Sequence, residues 1–151
     1  KGKRTVRAGD FFLSYMTTVL EPGELLVEIR IPPLPLRTGW SFQEVSRRHG
    51  DFALVGVAAL ATLDEEGVMG RARLAFTGPV PVRRVKAEEL LIGQRPGKEL
   101  FHEAARLAIQ ELEQDSDIHA SSDYRREVAG VLATRAFEQA AERARGGLVH
   151  E

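Results

Sequence analysis

The stretch that decides the fold is LVGVAALATLDEEGVMGRARLAF, residues 54–76. Residues 54–63 are almost all small and apolar, and periodicity alone does not separate a buried strand from a helix there. Residues 68–76 alternate: the predicted inward side chains are Val68, Ala72, Leu74 and Phe76, and the outward ones are Arg71 and Arg73. The acidic, glycine-terminated stretch at 64–67 is typical of a hairpin loop. We therefore predict two antiparallel strands.

Towards the N-terminus, residues 4–8 are predicted to form a short strand, and residues 10–20 a turn or short helix that runs to Leu20. After the turn signal at 21–24, residues 25–31 alternate and are predicted to be a strand. The side chains of one face are Leu25, Val27, Ile29 and Ile31. Leu26 lies on the opposite, otherwise polar face, where the simplest explanation is an incidental surface leucine.

The remainder of the chain predicts an α+β fold. Residues 32–35, Pro-Pro-Leu-Pro, cannot continue a sheet and indicate a linker and domain boundary. Residues 40–46 favour a strand. Helices are predicted at 84–91, at 98–113 and from an N-cap at Ser122 to Gly146-Gly147. The last helix is predicted to bury Tyr124, Val128, Val131, Leu132, Ala136 and Ala140. Strands followed by helices indicate a small antiparallel sheet of three to four strands packed with a cluster of three helices.

Composition narrows the function classes. The 151 residues carry a formal net charge of −1, which disfavours nucleic acid as a main partner. The absence of cysteine excludes disulfides, thiolate catalysis and iron–sulfur ligation by this chain. We find no apolar stretch of membrane length and no signal peptide, and we expect a cytoplasmic protein. The first residue is Lys1, and we expect an internal start.

Only one segment favours a binding site. The four histidines lack metal-ligand spacing, no serine nucleophile motif is present, and no glycine-rich phosphate loop is found, so no catalytic or metal site is predicted. Residues 46–53, Ser-Arg-Arg-His-Gly-Asp-Phe-Ala, place two guanidinium groups, a glycine and a carboxylate before an aromatic ring. This arrangement can present a ring to a planar ligand. From spacing alone, an Arg–Asp turn with Phe52 tucked into the core is the more common arrangement.

Six segments together resemble the FAD-binding (medium) subunit of the molybdenum hydroxylases, the carbon monoxide dehydrogenase and xanthine dehydrogenase type. They are Asp10-Phe11-Phe12, residues 21–26, Ile29-Arg30-Ile31-Pro32, residues 46–53, residues 78–83 and Ser121-Ser122-Asp123-Tyr124-Arg125-Arg126. The resemblance covers nearly the whole chain. It implies that residues 1–33 are the truncated tail of the FAD-binding domain and that residues 38–147 are the complete C-terminal domain.

The resemblance also implies the cofactors and partners. In that family, substrate is hydroxylated at a molybdopterin centre on a large subunit. Electrons then pass through [2Fe–2S] clusters on a small iron–sulfur subunit to FAD on the medium subunit, and from FAD to an acceptor. The large subunit selects the substrate, so this chain names neither substrate nor acceptor. We expect a component of an oxidoreductase that is inactive in isolation.

Site residues follow from the resemblance, position by position. Leu26 matches a residue that lies against the flavin, and Gln43 a position where relatives place a polar side chain near the cofactor. The stretch Arg47, Arg48, Gly50 and Asp51 matches a loop near the isoalloxazine, and Phe52 a residue close to the ring. The family's two glycine-rich pyrophosphate loops are absent from this chain, so we expect weak or no FAD binding by the chain alone. The alternative is a docking domain without a flavin role, which would hold the large and small subunits through the helices.

Overall fold

The computed structural model describes residues 2–14, 16–77, 82–110, 112 and 116–146. The chain separates into two compact units, Lys1–Pro33 and Leu34–Glu151, called here the first and the second unit. Each unit has its own secondary structure, and the α+β class predicted from the sequence is confirmed.

The first unit contains a short helix and a hairpin. Helix α1, Ala8–Phe11, is followed by strands β1, Phe12–Ser14, and β2, Thr17–Thr18, which pair antiparallel. The predicted strand at 4–8 is wrong, because residues 4–7 have no regular structure and Ala8 begins the helix. The helix also ends well before Leu20, because the chain turns at Met16 in the left-handed region (φ 53°) and pairs back on itself.

The predicted strand at 25–31 is also wrong. No residue of this segment has strand structure, and its alternating apolar side chains are exposed: Leu25 by 83%, Val27 by 72%, Ile29 by 73% and Ile31 by 86%. A strand is stable only when a neighbouring strand accepts and donates its backbone hydrogen bonds. Among the residues that the structure describes, no strand pairs with this segment.

The second unit is built on a four-stranded antiparallel sheet. Its strands are β3, Thr38–Val45, β4, Val55–Leu63, β5, Met69–Phe76, and β6, Val82–Arg83, in the order β3-β4-β5-β6. The hairpin predicted from residues 54–76 is confirmed. Its turn is closed by Asp64, whose Oδ1 accepts a hydrogen bond from the Val68 amide at 2.7 Å.

The prediction that Val68 is an inward side chain of this hairpin is wrong. Val68 lies outside β5 and is half-buried, whereas Met69 is fully buried and pairs with Leu63. A register irregularity between Thr62 and Leu63 lets the strand change face at its start. An alternating pattern of apolar and polar residues does not predict such a register shift.

A cluster of three helices packs with the sheet, as predicted: the first and the third contact its strands, and the second packs on those two helices. In chain order the three helices are α2, Val85–Leu91, α3, Lys98–Gln110, and α4, Ser122–Gly146. The N-cap of α4 is Ser121 rather than Ser122, because the Ser121 hydroxyl accepts the Tyr124 amide at 3.2 Å. Gly146 is the last residue of α4, as predicted, and Gly147 lies outside the described residues.

The buried face of α4 agrees with the predicted one only in part: Leu132, Ala136 and Ala140 are buried and Val128 is half-buried. Tyr124 and Val131 are about half exposed, at 46% and 47%. The buried residues of α4 are Arg125, Ala129, Leu132, Ala133, Ala136, Phe137, Ala140, Ala141 and Ala144. Small side chains let the helix approach the sheet closely: a Cβ placed on Gly39 of β3 would lie 2.0 Å from the Ala140 carbonyl oxygen. The helix therefore buries a face made mostly of alanines, together with Leu132 and Phe137.

Candidate functional site

The connection between β3 and β4, residues 46–54, is called here the β3–β4 loop. Its ends are joined by a backbone hydrogen bond from the Leu54 amide to the Val45 carbonyl, at 2.8 Å. Inside the loop the Arg48 carbonyl accepts two hydrogen bonds, from the Ser46 hydroxyl at 2.9 Å and from the Asp51 amide at 3.1 Å. These hydrogen bonds fold the loop into a defined turn.

Gly50 supplies the backbone conformation that this turn needs. Its φ is +88°, in the left-handed region that residues with a Cβ rarely adopt. No neighbouring atom would touch a Cβ at this position, so the demand for glycine is conformational and not steric. The predicted role of Gly50 in shaping the loop therefore has a local physical basis.

The charged side chains of the loop point into solvent. The Arg47 guanidinium lies 3.7 Å from the Asp51 carboxylate, and the two side chains are 51% and 38% exposed. Such an exposed, loosely spaced pair contributes at most about 1 kcal/mol to stability. Arg48 and His49 are exposed as well. The Arg–Asp turn is present, but its backbone hydrogen bonds stabilise it more than the ion pair does.

Phe52 is the most exposed large apolar side chain of the protein's described residues, at 99%. The alternative in which this ring is tucked into the core is therefore wrong. Ala53 and Leu54 are half-buried, and the core begins with Val55. The core therefore begins three residues after Phe52, and the Phe52 ring lies on the surface of the second unit.

Gln43 is already engaged within the second unit. Its amide nitrogen donates to Gln139 Oε1 at 3.0 Å and to the Ser41 hydroxyl at 3.2 Å, and that hydroxyl donates to Gln139 Oε1 at 2.7 Å. The side chain therefore faces α4 and connects the edge strand to the helix. The structure places it in this network rather than beside the loop side chains.

Leu26 belongs to the first unit and is 53% exposed. Its flanking residues Leu25 and Val27 are more exposed, at 83% and 72%. Because no strand forms here, Leu26 does not stand out as an apolar residue on a polar face. Of the site residues predicted from the sequence, those at 47–52 share one loop of the second unit, and Gln43 lies on the preceding strand.

One face of the sheet is open and partly apolar, and it was not predicted from the sequence. Trp40 pairs with Leu60 of β4, and Phe42 pairs with Ala58 of the same strand. Trp40 and Phe42 are 48% and 50% exposed. The Arg143 guanidinium lies over the Trp40 ring at 4.7 Å and donates to the Trp40 carbonyl at 2.7 Å. The alternation of residues 40–46 was the available signal, since it places Trp40 and Phe42 on one face.

Other kinds of site find no support in the described residues. Within that part of the chain, no three histidine, cysteine or acidic side chains are grouped to hold a metal ion. No described helix has the length and apolarity to cross a membrane. A shallow depression between α3 and α4 is lined by Lys98, Glu99, His102, Glu103, Arg106 and Thr134.

Comparison with known proteins identifies the family. The model of the CO dehydrogenase flavoprotein C-terminal domain matches residues 40–140. The chain belongs to this family. The resemblance to medium subunits of molybdenum hydroxylases is thereby confirmed.

Two relatives illustrate the match. The 6-hydroxypseudooxynicotine dehydrogenase complex subunit alpha of Paenarthrobacter nicotinovorans is 36% identical over 147 residues, which cover 96% of this chain and 50% of that protein. The carbon monoxide dehydrogenase medium chain of Hydrogenophaga pseudoflava is 36% identical over 141 residues, which cover 92% and 49%. The chain thus spans about half the length of the curated relatives it matches.

Solved structures agree with this membership. A carbon monoxide dehydrogenase from Hydrogenophaga pseudoflava superimposes with a TM-score of 0.88 at 36% identity, over 94% of this chain and 50% of that one. Quinoline 2-oxidoreductase from Pseudomonas putida 86 gives a TM-score of 0.80 at 38% identity, over 93% and 49%. The relatives are parts of oxidoreductases, and the fold of this chain is the one seen in them.

Proposed function

We propose that this chain is the C-terminal part of the FAD-binding, electron-transfer subunit of a molybdopterin-dependent hydroxylase or dehydrogenase. In this proposal residues 1–33 are the tail of the FAD-binding domain and residues 38–147 are the C-terminal domain. Support comes from membership of a flavoprotein family and from relatives of about twice this length. Electrons would arrive from [2Fe–2S] clusters on a small subunit, reach FAD, and leave to an acceptor, while a large subunit holds the molybdopterin.

The observation that carries the proposal is the ring of Phe52, 99% exposed on a hydrogen-bonded loop. An aromatic face of this kind gains free energy when a planar ring system covers it, both by burial and by stacking. FAD, when bound, supplies the two-electron and one-electron chemistry that connects the clusters to the acceptor. Phe52 provides packing only, since it has no hydroxyl group with which to donate a hydrogen bond.

The charged residues of the loop set the field around that ring. Arg47 and Arg48 bring two positive charges, and Asp51 offsets part of one of them at 3.7 Å. Guanidinium groups stabilise nearby negative charge and pair readily with phosphate or carboxylate. In the proposal these arginines favour electron-rich states of a bound ring, Gly50 fixes the turn, and Gln43 supports the adjoining strand through Gln139. Leu26 is proposed separately, from the family resemblance alone, as a residue that contacts the flavin.

The residues present fit one part of FAD and not all of it. The loop offers a surface for the flat ring, but the chain has neither of the glycine-rich loops that the family uses for the pyrophosphate. We therefore expect the chain alone to bind FAD weakly or not at all and to be inactive. Titration of the chain with FAD, followed by flavin fluorescence, measures this. A tight, stoichiometric yellow complex would contradict it.

The experiment that tests the proposal replaces Phe52 by Ala in the full gene product, assembled with its partner subunits. We expect the Kd for FAD to rise by about tenfold, because about 1.4 kcal/mol of ring contact is lost, and the flavin absorbance bands to shift. Val131→Ala is the matched control, since Val131 is an exposed apolar residue of α4.

The docking-domain alternative makes the opposite prediction. If the helices hold the partner subunits and the loop has no flavin role, Phe52→Ala leaves flavin binding, assembly and turnover unchanged. Substitutions on the outer surface of α3 and α4, such as Val131→Ala, then weaken assembly. Flavin titration and size-exclusion chromatography of the same two variants separate the two functions.

A further inference from the structure

A buried arginine lies in the first turn of α4. Arg125 is only 9% exposed, although its neighbour Arg126 is half-buried at the helix surface. Burial of a guanidinium is unfavourable unless its donors are used. Arg125 Nη1 donates to the Leu54 carbonyl at 2.7 Å, and Nη2 donates to Asp117 Oδ2 at 2.7 Å. The two acceptors lie in different parts of the chain, and the planar fork of the guanidinium joins them.

The Leu54 carbonyl is the closing point of the β3–β4 loop. The amide of the same residue donates to Val45, the last residue of β3, at 2.8 Å. Leu54 is therefore held through both its amide and its carbonyl oxygen, one bonded to the sheet and the other to α4. Phe52 is two residues upstream, so the position of the Leu54 peptide limits where the ring can lie.

The other acceptor, Asp117, is itself fixed. Its Oδ1 accepts the amides of His119 at 2.8 Å and Ala120 at 3.0 Å. These backbone hydrogen bonds, with a smaller contribution from Arg125, lower the pKa of Asp117 to about 2. The carboxylate is thus charged at neutral pH and anchored to the segment that leads into α4. Arg125 therefore connects the fixed Asp117 carboxylate to Leu54, the last residue of the β3–β4 loop.

We propose that Arg125 is a positioning residue that holds the β3–β4 loop, and through it the Phe52 ring, at the height required for flavin contact. This inference rests on the proposed function, because it gives the loop a flavin to contact. It adds a residue whose hydrogen bond to the loop is made to the Leu54 carbonyl. Lysine cannot replace it, since one ammonium group does not reproduce the flat fork that meets both acceptors.

The test uses Arg125→Lys in the full flavoprotein subunit, with Arg126→Lys as the matched control on the adjacent residue. Trypsin cuts after Arg47 and Arg48 only when the loop opens locally, so the cleavage rate under native conditions reports how firmly the loop is held. We expect Arg125→Lys to raise this rate by about tenfold, the factor that corresponds to the loss of one charge-assisted hydrogen bond. Arg126→Lys is expected to leave it unchanged.

The second readout is the flavin itself. We expect Arg125→Lys to raise the Kd for FAD by about fivefold and to shift the flavin absorbance bands in the same direction as Phe52→Ala. Asp117→Asn keeps Arg125 in place but weakens its anchor, and it is expected to show the same effects at smaller size. It also serves as the second variant where Arg125→Lys does not fold.

The outcomes separate this inference from the proposed function. An unchanged cleavage rate in both Arg125→Lys and Asp117→Asn overturns the positioning role, whatever the flavin does. Faster cleavage with unchanged flavin binding also overturns it, provided that Phe52→Ala does weaken flavin binding. Faster cleavage with no flavin effect from Phe52→Ala overturns the proposed function instead, and it supports Arg125 as the residue that holds the loop.

Discussion

Residues 25–31 and β4 both have apolar patterns that suggest strands, but only β4 is a strand. Residues 25–31 alternate more regularly than β4, yet they have no regular structure and their apolar side chains are 72–86% exposed at positions 27, 29 and 31. β4 is almost uniformly apolar, and its inward residues Val55, Val57, Ala59, Ala61 and Leu63 are at most 3% exposed. The quality of the pattern does not explain the difference.

The difference lies in the neighbours. β4 has a strand on each side, β3 and β5, and α4 packs across it. Its backbone groups are hydrogen-bonded on both edges and its inward side chains are covered. Residues 25–31 have neither kind of partner among the described residues of the first unit. Alternation thus specifies which face a strand would bury, whereas tertiary pairing decides whether the strand forms.

The largest expected effect comes from breaking the contact between α4 and the sheet. In Gly39→Ala the new Cβ would lie 2.0 Å from the Ala140 carbonyl and 2.6 Å from the Ala144 amide nitrogen, so α4 must move. We expect the free energy of unfolding to fall by about 3 kcal/mol or more. Gly70→Ala is the control, because the atom nearest to its new Cβ, the Thr62 carbonyl oxygen, would be 3.8 Å away. Urea unfolding of both variants checks this, and equal stabilities would refute close packing at Gly39.

The second prediction compares the two segments directly. Val57→Ala removes two methyl groups from a fully buried site of β4, and we expect a loss of about 2 kcal/mol in the free energy of unfolding. Val27→Ala makes the same change at a side chain that is 72% exposed, and we expect less than about 0.5 kcal/mol.

Both variants are measured in the chain alone and again in the full gene product. A Val27→Ala cost that appears only in the full product would show that residues 25–31 find their partner there. A large cost in the chain alone would mean that this segment is already buried in solution.

The third prediction concerns a buried carboxylate beside the sheet. Glu88 of α2 is 3% exposed; its Oε1 accepts the Leu74 amide at 3.0 Å and the Arg83 Nε at 3.1 Å. Glu88→Ala leaves a buried amide without its acceptor, and we expect a loss of about 2 kcal/mol. The loss is smaller than for a fully buried pair, because half of the Arg83 side chain reaches solvent. Glu89, the exposed neighbour of Glu88, provides the control. Glu89→Ala should change thermal stability little, and thermal unfolding of both variants measures the difference.

Several elements could be predicted from the sequence because local signals specify them. The hairpin at 54–76, the three helices and the α+β class all follow from periodicity and turn residues. The buried face of α4 was predicted only in part: Leu132, Ala136 and Ala140 are buried as predicted, but the alanines at 129, 133 and 144 were not identified because they carry little hydrophobic signal. The β3–β4 loop was identified by its residues, but the exposure of Phe52 was not. Arg125 was not distinguishable from Arg126, because only the fold brings it to Leu54.

The smallest expected effect contrasts one carboxylate in each unit. The pKa of Glu24 is lowered to about 2, first by the side-chain hydrogen bond from Arg4, whose Nε lies 2.7 Å away, and then by a backbone amide. The pKa of Asp117 is also lowered to about 2, but first by the His119 and Ala120 amides and only afterwards by Arg125. For both carboxyl groups, the pKa in the folded state lies below the pKa in the unfolded state. Each therefore stabilises the fold above about pH 4, and this contribution is lost as the pH falls towards about 2.

Because the two pKa values are lowered by different groups, they should respond differently when the neighbouring arginine, Arg4 or Arg125, is replaced. Arg4→Gln should return the pKa of Glu24 most of the way to its ordinary value, because its main donor is gone. Arg125→Gln should raise the pKa of Asp117 only in part, because the two backbone amides remain. Carboxyl carbon NMR titration measures both values, with Arg126→Gln as the control for Asp117. An equal return of both carboxyls would mean that Asp117 is held mainly by Arg125, and the anchor for the β3–β4 loop would then be weaker than its backbone hydrogen bonds indicate.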